Sequence, residues 1–278
     1  MTPVGKALWY IEIQIGSELT LDHIAHASEM SRFAISRLFA ITTGWSVMRY
    51  VRARRLTRAA QTLASDAPDI LSVALDAGYS SHEAFTRAFA DFFGLTPEQL
   101  RARRHLDGLG LVEPLRMKDI KFIDLAPPRI ETGKALTVAG LSSRFTFATN
   151  EGIPALWEAF NPYFRNFPDQ VSDVTYGVCC NPDGEGGFEY IAGVEVSRRD
   201  RLPEGFRCVD IAPLQYAVFE HKGHISLLHQ TVYTIWHQWL PSSGLDAVDA
   251  PDFERYSEDF NPVAGTGSLE IWLPVKTR

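Results

Sequence analysis

Two arginines, Arg37 and Arg87, stand 50 residues apart in matching surroundings, and a guanidinium is well shaped to grip O6 and N7 of guanine with two hydrogen bonds. The same register holds Arg32, Phe33 and Ser36 beside the first, and His82, Glu83 and Thr86 beside the second. Glu can accept from cytosine N4 and Phe can touch a thymine methyl, so each set could read bases if a helix carried it into a major groove. A solvated helix face is the competing reading, above all for His82, Glu83 and Phe33. His221, His224, His229 and His237 invite a metal reading. No carboxylate or thiol completes that set, and His221 and His224 flank Gly223 at a strand end, so neither a metal nor another cofactor is expected. Cys179 and Cys180 are neighbours in a strand and point to opposite faces, and Cys208 stands alone; this is neither a disulfide framework nor a zinc pattern.

Helices must position the two arginines. Val4, Leu8, Ile11 and Ile15 recur at helical spacing and predict an opening helix that ends near Gly16. Thr20 caps a short helix with inner face Leu21, Ile24 and Ala25 that stops near Ser28, and after a tight turn Ser31 caps another with inner face Ile35, Leu38 and Phe39. One such helix pair is common in any helical protein. Here a second copy follows: Phe39, Gly44, Ser46 and Tyr50 recur as Phe89, Gly94, Thr96 and Leu100, each 50 residues on, and Ile24-Ala25 recurs as Val73-Ala74. Gly44 and Gly94 are expected to end their helices in left-handed turns, after which Ser46 and Thr96 cap the next, with Pro97 at a first helical position. Val47 to about Ser65 reads as one helix without internal Gly or Pro, able to hold the motifs apart. At a separation near one turn of B-DNA, roughly 34 Å, a monomer could place both in successive major grooves. Of Arg49, Arg52, Arg54, Arg55 and Arg58 on that helix, some are expected to pair with carboxylates and others to neutralise phosphates.

Charge divides the chain. The 278 residues carry a net charge of -7, which by itself argues against a nucleic-acid partner. Residues 1–106, however, hold 12 Lys and Arg against 10 Asp and Glu, whereas 107–278 hold 15 against 24. The length and the 45% hydrophobic content suit two ordinary domains. No run approaches the eighteen or so apolar residues of a membrane span, and no signal-peptide core follows Met1; a cytoplasmic protein with no membrane partner is expected.

Beyond a linker at 107–117, the region 118–278 reads as a duplicated α+β domain. Strands are expected at 120–125, 137–144, 174–181 and 188–196, with a helix from Ile153 to Phe164, the last two strands joined by the turn at 182–187. The second half repeats that order, with strands at 207–210 and 215–221, a helix from about Ile225 to Leu240 and a closing strand at 268–275. Ile123-Asp124-Leu125-Ala126-Pro127 recurs as Val209-Asp210-Ile211-Ala212-Pro213, and Phe188-Glu189-Tyr190 has an echo in Leu269-Glu270-Ile271. The glycines at 184–187 lack a following Lys-Ser/Thr and helix, so they serve a hairpin and not a phosphate.

The first hundred residues resemble the AraC family of regulators, through Ser31-Arg32-Phe33 to Gly44, Tyr50-Val51-Arg52-Ala53-Arg54-Arg55-Leu56, and Gly78-Tyr79-Ser80-Ser81-His82-Glu83-Ala84-Phe85-Thr86-Arg87-Ala88-Phe89 to Gly94-Leu95-Thr96-Pro97. The resemblance implies an all-α domain of two helix-turn-helix motifs over 1–106 that binds double-stranded DNA, with RNA polymerase as a further partner. Glu29 stands where the family usually has glycine. The remainder is similar to the GyrI-like effector-binding family, through Tyr216-Ala217-Val218-Phe219-Glu220-His221-Lys222-Gly223, Asp252-Phe253-Glu254-Arg255-Tyr256 and Leu269-Glu270-Ile271-Trp272-Leu273-Pro274-Val275. That resemblance implies an acidic residue of the last strand, Glu270, facing a groove between the halves that accepts a lipophilic, aromatic or cationic effector, as in multidrug sensing. Trp157, Tyr176, Tyr190, Tyr216 and Trp272 are candidate walls, with core packing as the alternative for each, and Glu189 is a weaker acidic candidate; Trp236 and Trp239 are expected in the core. Two other functions stay open: a small-molecule hydrolase using a pocket glutamate with a tyrosine, and a module that binds another protein. The attached DNA-binding domain favours a sensor and not an enzyme.

Overall fold

The computed structural model describes residues 2–65, 69–115, 122–146, 150–183 and 186–277. They form two compact units, Met1–Arg32 with Ser46–Lys118, and Phe33–Trp45 with Asp119–Arg278. The segment Phe33–Trp45 thus groups with the C-terminal part. Of the linker expected at 107–117, positions 107–115 form neither helix nor strand, while 116 and 117, and the junction at 118, lie outside the described residues.

The first unit holds α1 (Pro3–Gln14) and α2 (Leu21–Ala27); α3 (Arg32–Thr43) comes next in the chain and lies, from Phe33 on, in the second unit. The first unit continues with α4 (Val47–Ala64), α5 (Ile70–Asp76), α6 (His82–Phe93) and α7 (Pro97–Arg103). The helices begin where side-chain oxygens satisfy free N–H groups: Thr20 accepts from His23 N at 3.2 Å, Ser46 from Arg49 N at 3.3 Å, and Thr96 from Gln99 N at 3.3 Å. Gln99 Oε1 in turn accepts from Thr96 N at 2.8 Å, closing a capping box.

The repeat extends to the backbone of the turns after α2 and α5. Ser28 N donates to Ile24 O, Glu29 N to His26 O and Met30 N to Ala25 O, at 3.0–3.1 Å. In the second copy Ala77 N donates to Val73 O, Gly78 N to Leu75 O and Tyr79 N to Ala74 O, at 2.9–3.0 Å. Both are helix ends closed by a left-handed residue, at φ 57° for Glu29 and 82° for Gly78. Gly44 and Gly94, at φ 74° each, end α3 and α6 in the same way.

Helix α4 joins the core of the second motif. Its Leu56, Ala59, Ala60 and Leu63 pack with Val73, Ala74, Phe85, Phe89 and Leu100, and each large apolar group so buried contributes roughly 1.5–3 kcal/mol. The helix is also fastened to α1: Arg54 donates to both carboxylate oxygens of Glu12, at 2.9 and 3.0 Å, and Tyr50 OH donates to Glu12 at 2.7 Å. Arg55 donates to the carbonyls of Ile15 and Ser17. Arg49, Arg52 and Arg58 are exposed.

In the second unit β1 (Arg129–Thr132), β2 (Leu136–Thr146), α8 (Ile153–Phe160), β3 (Gln170–Cys180) and β4 (Gly187–Val196) precede β5 (Arg207–Ile211), β6 (Gln215–His221) and α9 (Leu228–Thr234). A π-helical segment, Ile235–Trp239, continues α9, and β7 (Leu245–Ala247), β8 (Asp252–Tyr256) and β9 (Leu269–Thr277) close the chain. The strands form one antiparallel sheet in the order β1-β6-β9-β8-β3-β4-β2-β5, with β7 added on β9. One face buries Val138, Tyr176, Val178, Tyr216, Val218 and Phe253 in a shared core, and the other packs α8 and its neighbours on Phe188, Tyr190 and Val194.

Three expectations need correction. The strand expected at 120–125 begins outside the described residues, and 122–125 are irregular; the strand that fills this place in the sheet is β1, four residues later. The helix expected to run to Phe164 stops at Phe160 and tightens into a 3₁₀ turn over Asn161–Tyr163, where Pro162 cannot supply a helical N–H. Strand β8 was expected nowhere, and it carries the groups that matter most below.

Candidate functional site

Side chains alternate across a strand, so residues two apart share a face. On β8 this puts Asp252, Glu254 and Tyr256 on one side and Phe253 and Arg255 on the other. The register then fixes their neighbours: Asp252 lies opposite Cys179, Glu254 opposite Gly177 and Tyr256 opposite Thr175 on β3, while Cys179 lies opposite Tyr190 on β4. These residues line a cavity of about 1190 Å³, walled by α8, β3, β4, β8 and the α9 region, with Arg37 and Ile41 of α3 also in its wall.

Glu254 is the chemical centre of this cavity. Its Oε2 accepts from Tyr190 OH at 2.7 Å and from Tyr256 OH at 2.8 Å, and Trp157 Nε1 donates to Tyr190 OH at 3.1 Å. The Trp157 and Tyr256 rings meet edge to face at 5.2 Å. Gly177 is the condition for this approach, because a Cβ there would stand 2.0 Å from Tyr190 Oη and 2.6 Å from Glu254 Oε2. Burial pushes the Glu254 carboxyl above its usual value, against the two hydroxyl donors, and Asp252 adds to the rise. Burial and the Glu254 charge push the Tyr190 and Tyr256 hydroxyls well up, so both stay protonated and donate. Among the described residues no cation pairs with this half-buried carboxylate, and beside aromatic rings it can attract a positive guest by charge and by cation-π contact.

Two residues along the same face of β8, Asp252 is already paired. Arg37 Nη2 lies 2.7 Å from each of its carboxylate oxygens, and the guanidinium stands 5.6 Å from the Trp236 ring centroid. The Phe33 ring lies 6.4 Å from Trp236, and Thr42 Oγ1 is 2.5 Å from His237 Nε2. Phe33, Arg37 and Ile41 form an i, i+4, i+8 stripe along α3, and the π-helical segment supplies both Trp236 and His237. Burial holds His237 down to about 4, so at neutral pH it is uncharged.

Of the residues expected to bind an effector, the structure brings Trp157 and Tyr190 into this cavity. It does not bring Glu270, Tyr176, Tyr216 or Trp272. Tyr176, Tyr216 and Trp272 belong to the core on the opposite face, with Phe253 stacked on Trp272 at 5.3 Å. Glu270 pairs with Arg129 at 2.8 Å and accepts from Trp272 Nε1 at 3.0 Å. The reason is strand parity: Ile271 and Leu273 of β9 face the cavity, and Glu270 and Trp272 alternate with them. Glu189 likewise falls one residue off Tyr190 and accepts from Asn181 Nδ2 at 2.7 Å. Trp236, expected only in the core, is both buried and part of the cavity wall.

The residues expected to face DNA are distributed unevenly. On α6, Glu83 and Arg87 are exposed, Thr86 is half-buried, and His82 Nε2 lies 3.0 Å from Glu98. On α3, Arg32 is exposed beside Asp22 at 3.5 Å, and Phe33 and Ser36 are half-buried. Arg37 is only 9% exposed. Among the described residues no group of three or more His, Cys, Asp or Glu could hold a metal, and no helix is long and apolar enough to cross a membrane.

A paired helix-turn-helix followed by a curled antiparallel sheet with a partly open cavity is the build of a DNA-binding regulator with a small-molecule domain. The family model for the GyrI-like small molecule binding domain matches residues 126–276, and that for a helix-turn-helix domain matches 24–103. The chain belongs to the GyrI-like family through its C-terminal part, and with its N-terminal motifs it is an AraC-type regulator built in the same order as Rob. It is 26% identical over 263 residues to the transcriptional regulator Rob of Salmonella typhimurium, covering 92% of this chain and 91% of that one. It is 25% identical over 287 residues to the right origin-binding protein of Escherichia coli, covering 98% of each. With the transcriptional regulator BrlR of Pseudomonas aeruginosa it shares 31% over 150 residues, 53% of this chain and 54% of that one.

Proposed function

We propose that this protein controls transcription in response to a lipophilic cation, which it binds between Trp157, Tyr190 and Glu254 and does not consume. The observation that carries the reading is the Glu254 carboxylate, half-buried in the cavity beside aromatic rings and, among the described residues, hydrogen-bonded only by neutral hydroxyls. A guest that brings positive charge offsets the cost of that buried anion; a neutral guest of the same shape does not. The DNA-reading groups in this proposal are Arg32, Phe33, Ser36 and Arg37 of α3 and His82, Glu83, Thr86 and Arg87 of α6. Because one chain carries both motifs, a monomer suffices. The test is calorimetric titration with tetraphenylphosphonium and with a neutral aromatic of similar size. Glu254→Gln is expected to weaken the cation at least tenfold, about 1.4 kcal/mol, and the neutral compound much less, while Glu270→Gln changes neither. Equal losses for both compounds in Glu254→Gln, or a loss confined to Glu270→Gln, would remove the reading, and steady consumption of the compound would replace sensing by catalysis.

A further inference from the structure

The cavity contains two carboxylates on one face of β8, two residues apart and so roughly 6.5 Å apart along the strand. They are not in equivalent states. Glu254 is held by two neutral hydroxyls, whereas Asp252 is held by a cation, the Arg37 guanidinium of α3. That guanidinium is treated by the cavity as a guest would be: it is desolvated, paired with a carboxylate, placed 5.6 Å from the Trp236 ring centroid and counted among the walls with Ile41. Arg37 is also a residue that α3, the second helix of the first motif, would turn toward DNA, where a phosphate or a guanine edge would receive the same fork of N–H donors. One side chain cannot be in both places.

We propose that Asp252 is a second cation subsite of the cavity, held in this structure by Arg37, and that a positively charged effector exchanges with Arg37 there and so frees α3 to enter DNA. The proposal rests on the reading above in taking the effector to be a cation. Three contacts along the helix make the docked state specific: Phe33 on Trp236, Arg37 on Asp252, and Thr42 on His237. All three partners sit in the cavity wall or beside it, on β8 and on the π-helical segment that follows α9. A guest large enough to press on Trp236 and charged enough to satisfy Asp252 removes two of the three at once. In this scheme Asp252 acts as an internal stand-in for phosphate. By linkage, DNA that captures α3 must tighten the cation by the same factor that the cation tightens DNA.

The two arms of the pair are tested separately in the full-length protein, each by the measurement that the change itself does not obscure. Arg37→Gln removes the internal competitor without opening a large void, so tetraphenylphosphonium should bind at least fivefold more tightly by calorimetry. Asp252→Asn removes the anchor, so amide hydrogen exchange over residues 33–43 should quicken at least tenfold without any ligand. The same variant should bind a DNA site, selected beforehand from a random pool with the wild-type protein, at least fivefold more tightly. Wild-type protein should show the same quickening of 33–43 when saturated with tetraphenylphosphonium. If Arg37→Gln leaves the cation affinity unchanged or weaker, the subsite is not shared. Unchanged exchange and DNA affinity in Asp252→Asn would show that the pair does not restrain α3. Should Asp252→Asn prove unfolded by circular dichroism, Trp236→Leu tests the same restraint through Phe33 and Arg37, with the same two readouts. If wild type fails to bind the cation at all, the reading of the effector falls, and the Asp252→Asn arm still decides whether α3 is held.

Discussion

Gly177→Ala is the sharpest test of the architecture around Glu254. The new methyl carbon would stand 2.0 Å from Tyr190 Oη, 2.6 Å from Glu254 Oε2 and 2.7 Å from Tyr190 Cζ. None of these can remain. Tyr190 is 1% exposed and packed in a core with Phe160, Phe188 and Val194, so its hydroxyl can give way only toward the cavity, which breaks its bond to Glu254. Overpacking a buried site costs roughly 1–3 kcal/mol, and losing a buried hydrogen bond to a charged acceptor costs roughly 1.5–3 kcal/mol. The substitution should therefore destabilise the protein by about 2.5–6 kcal/mol, measured by urea denaturation followed by tryptophan fluorescence. Tyr190→Phe removes the atom that would come closest, so Gly177→Ala should cost at least 1 kcal/mol less in that background. A Gly177→Ala protein as stable as wild type, or an identical cost with and without the Tyr190 hydroxyl, would refute the geometry.

Four further outcomes follow from the same structure. Because burial raises the Glu254 carboxyl above its ordinary 4.5, tetraphenylphosphonium affinity should be full above that raised pKa and fall as pH drops through it, a midpoint higher than that of an exposed carboxylate. Stability should respond in the opposite sense, since the folded carboxyl holds its proton more tightly than the unfolded one and gains relative to it as pH falls. Arg87→Ala, on the exposed face of α6, should weaken DNA binding by about 1–3 kcal/mol with an unchanged circular dichroism spectrum; silence in a binding titration would remove Arg87 from the interface. Glu29→Gly should stabilise the protein by about 0.5–1 kcal/mol, because Glu29 holds a left-handed backbone at φ 57°. Its ion pair with Lys6 spans 2.7 Å from a side chain 78% exposed, which is worth little; a lower urea midpoint would show otherwise.

The helical repeat was legible because its signals are local. Thr20, Ser46 and Thr96 cap through a bond three residues away, and Gly44 and Gly94 turn left-handed whatever surrounds them. The strands of the second unit were mostly legible too, from alternation and turn residues. Strand β8 was not, because Asp252-Phe253-Glu254-Arg255-Tyr256 mixes charged and aromatic residues on both faces and has no aliphatic face. Its two acidic residues, Asp252 and Glu254, line a cavity instead of facing open water, which inverts the rule by which alternation is read. With that strand unseen, the nearest acidic candidate was Glu270 on β9, and parity put it on the face away from this cavity. The burial of Arg37 was illegible for a different cause: its partner Asp252 lies 215 positions further along the chain, Trp236 comes from the same distant region, and local helix periodicity carries no record of them.

The strand order holds one more consequence. Strand β1, from the first half of the duplicated domain, pairs with β6 of the second, and β5, which opens the second half, pairs with β2 of the first. Each half has lent its opening strand to the other. A gene encoding one half alone would make a chain whose first strand could not lie beside its own second strand in this arrangement, but would have a ready place on another copy. The domain is thus built as a reciprocally exchanged dimer written into one polypeptide. Cutting the chain between β4 and β5 should leave two fragments that recover the sheet only by reassociating, each completing the edge of the other.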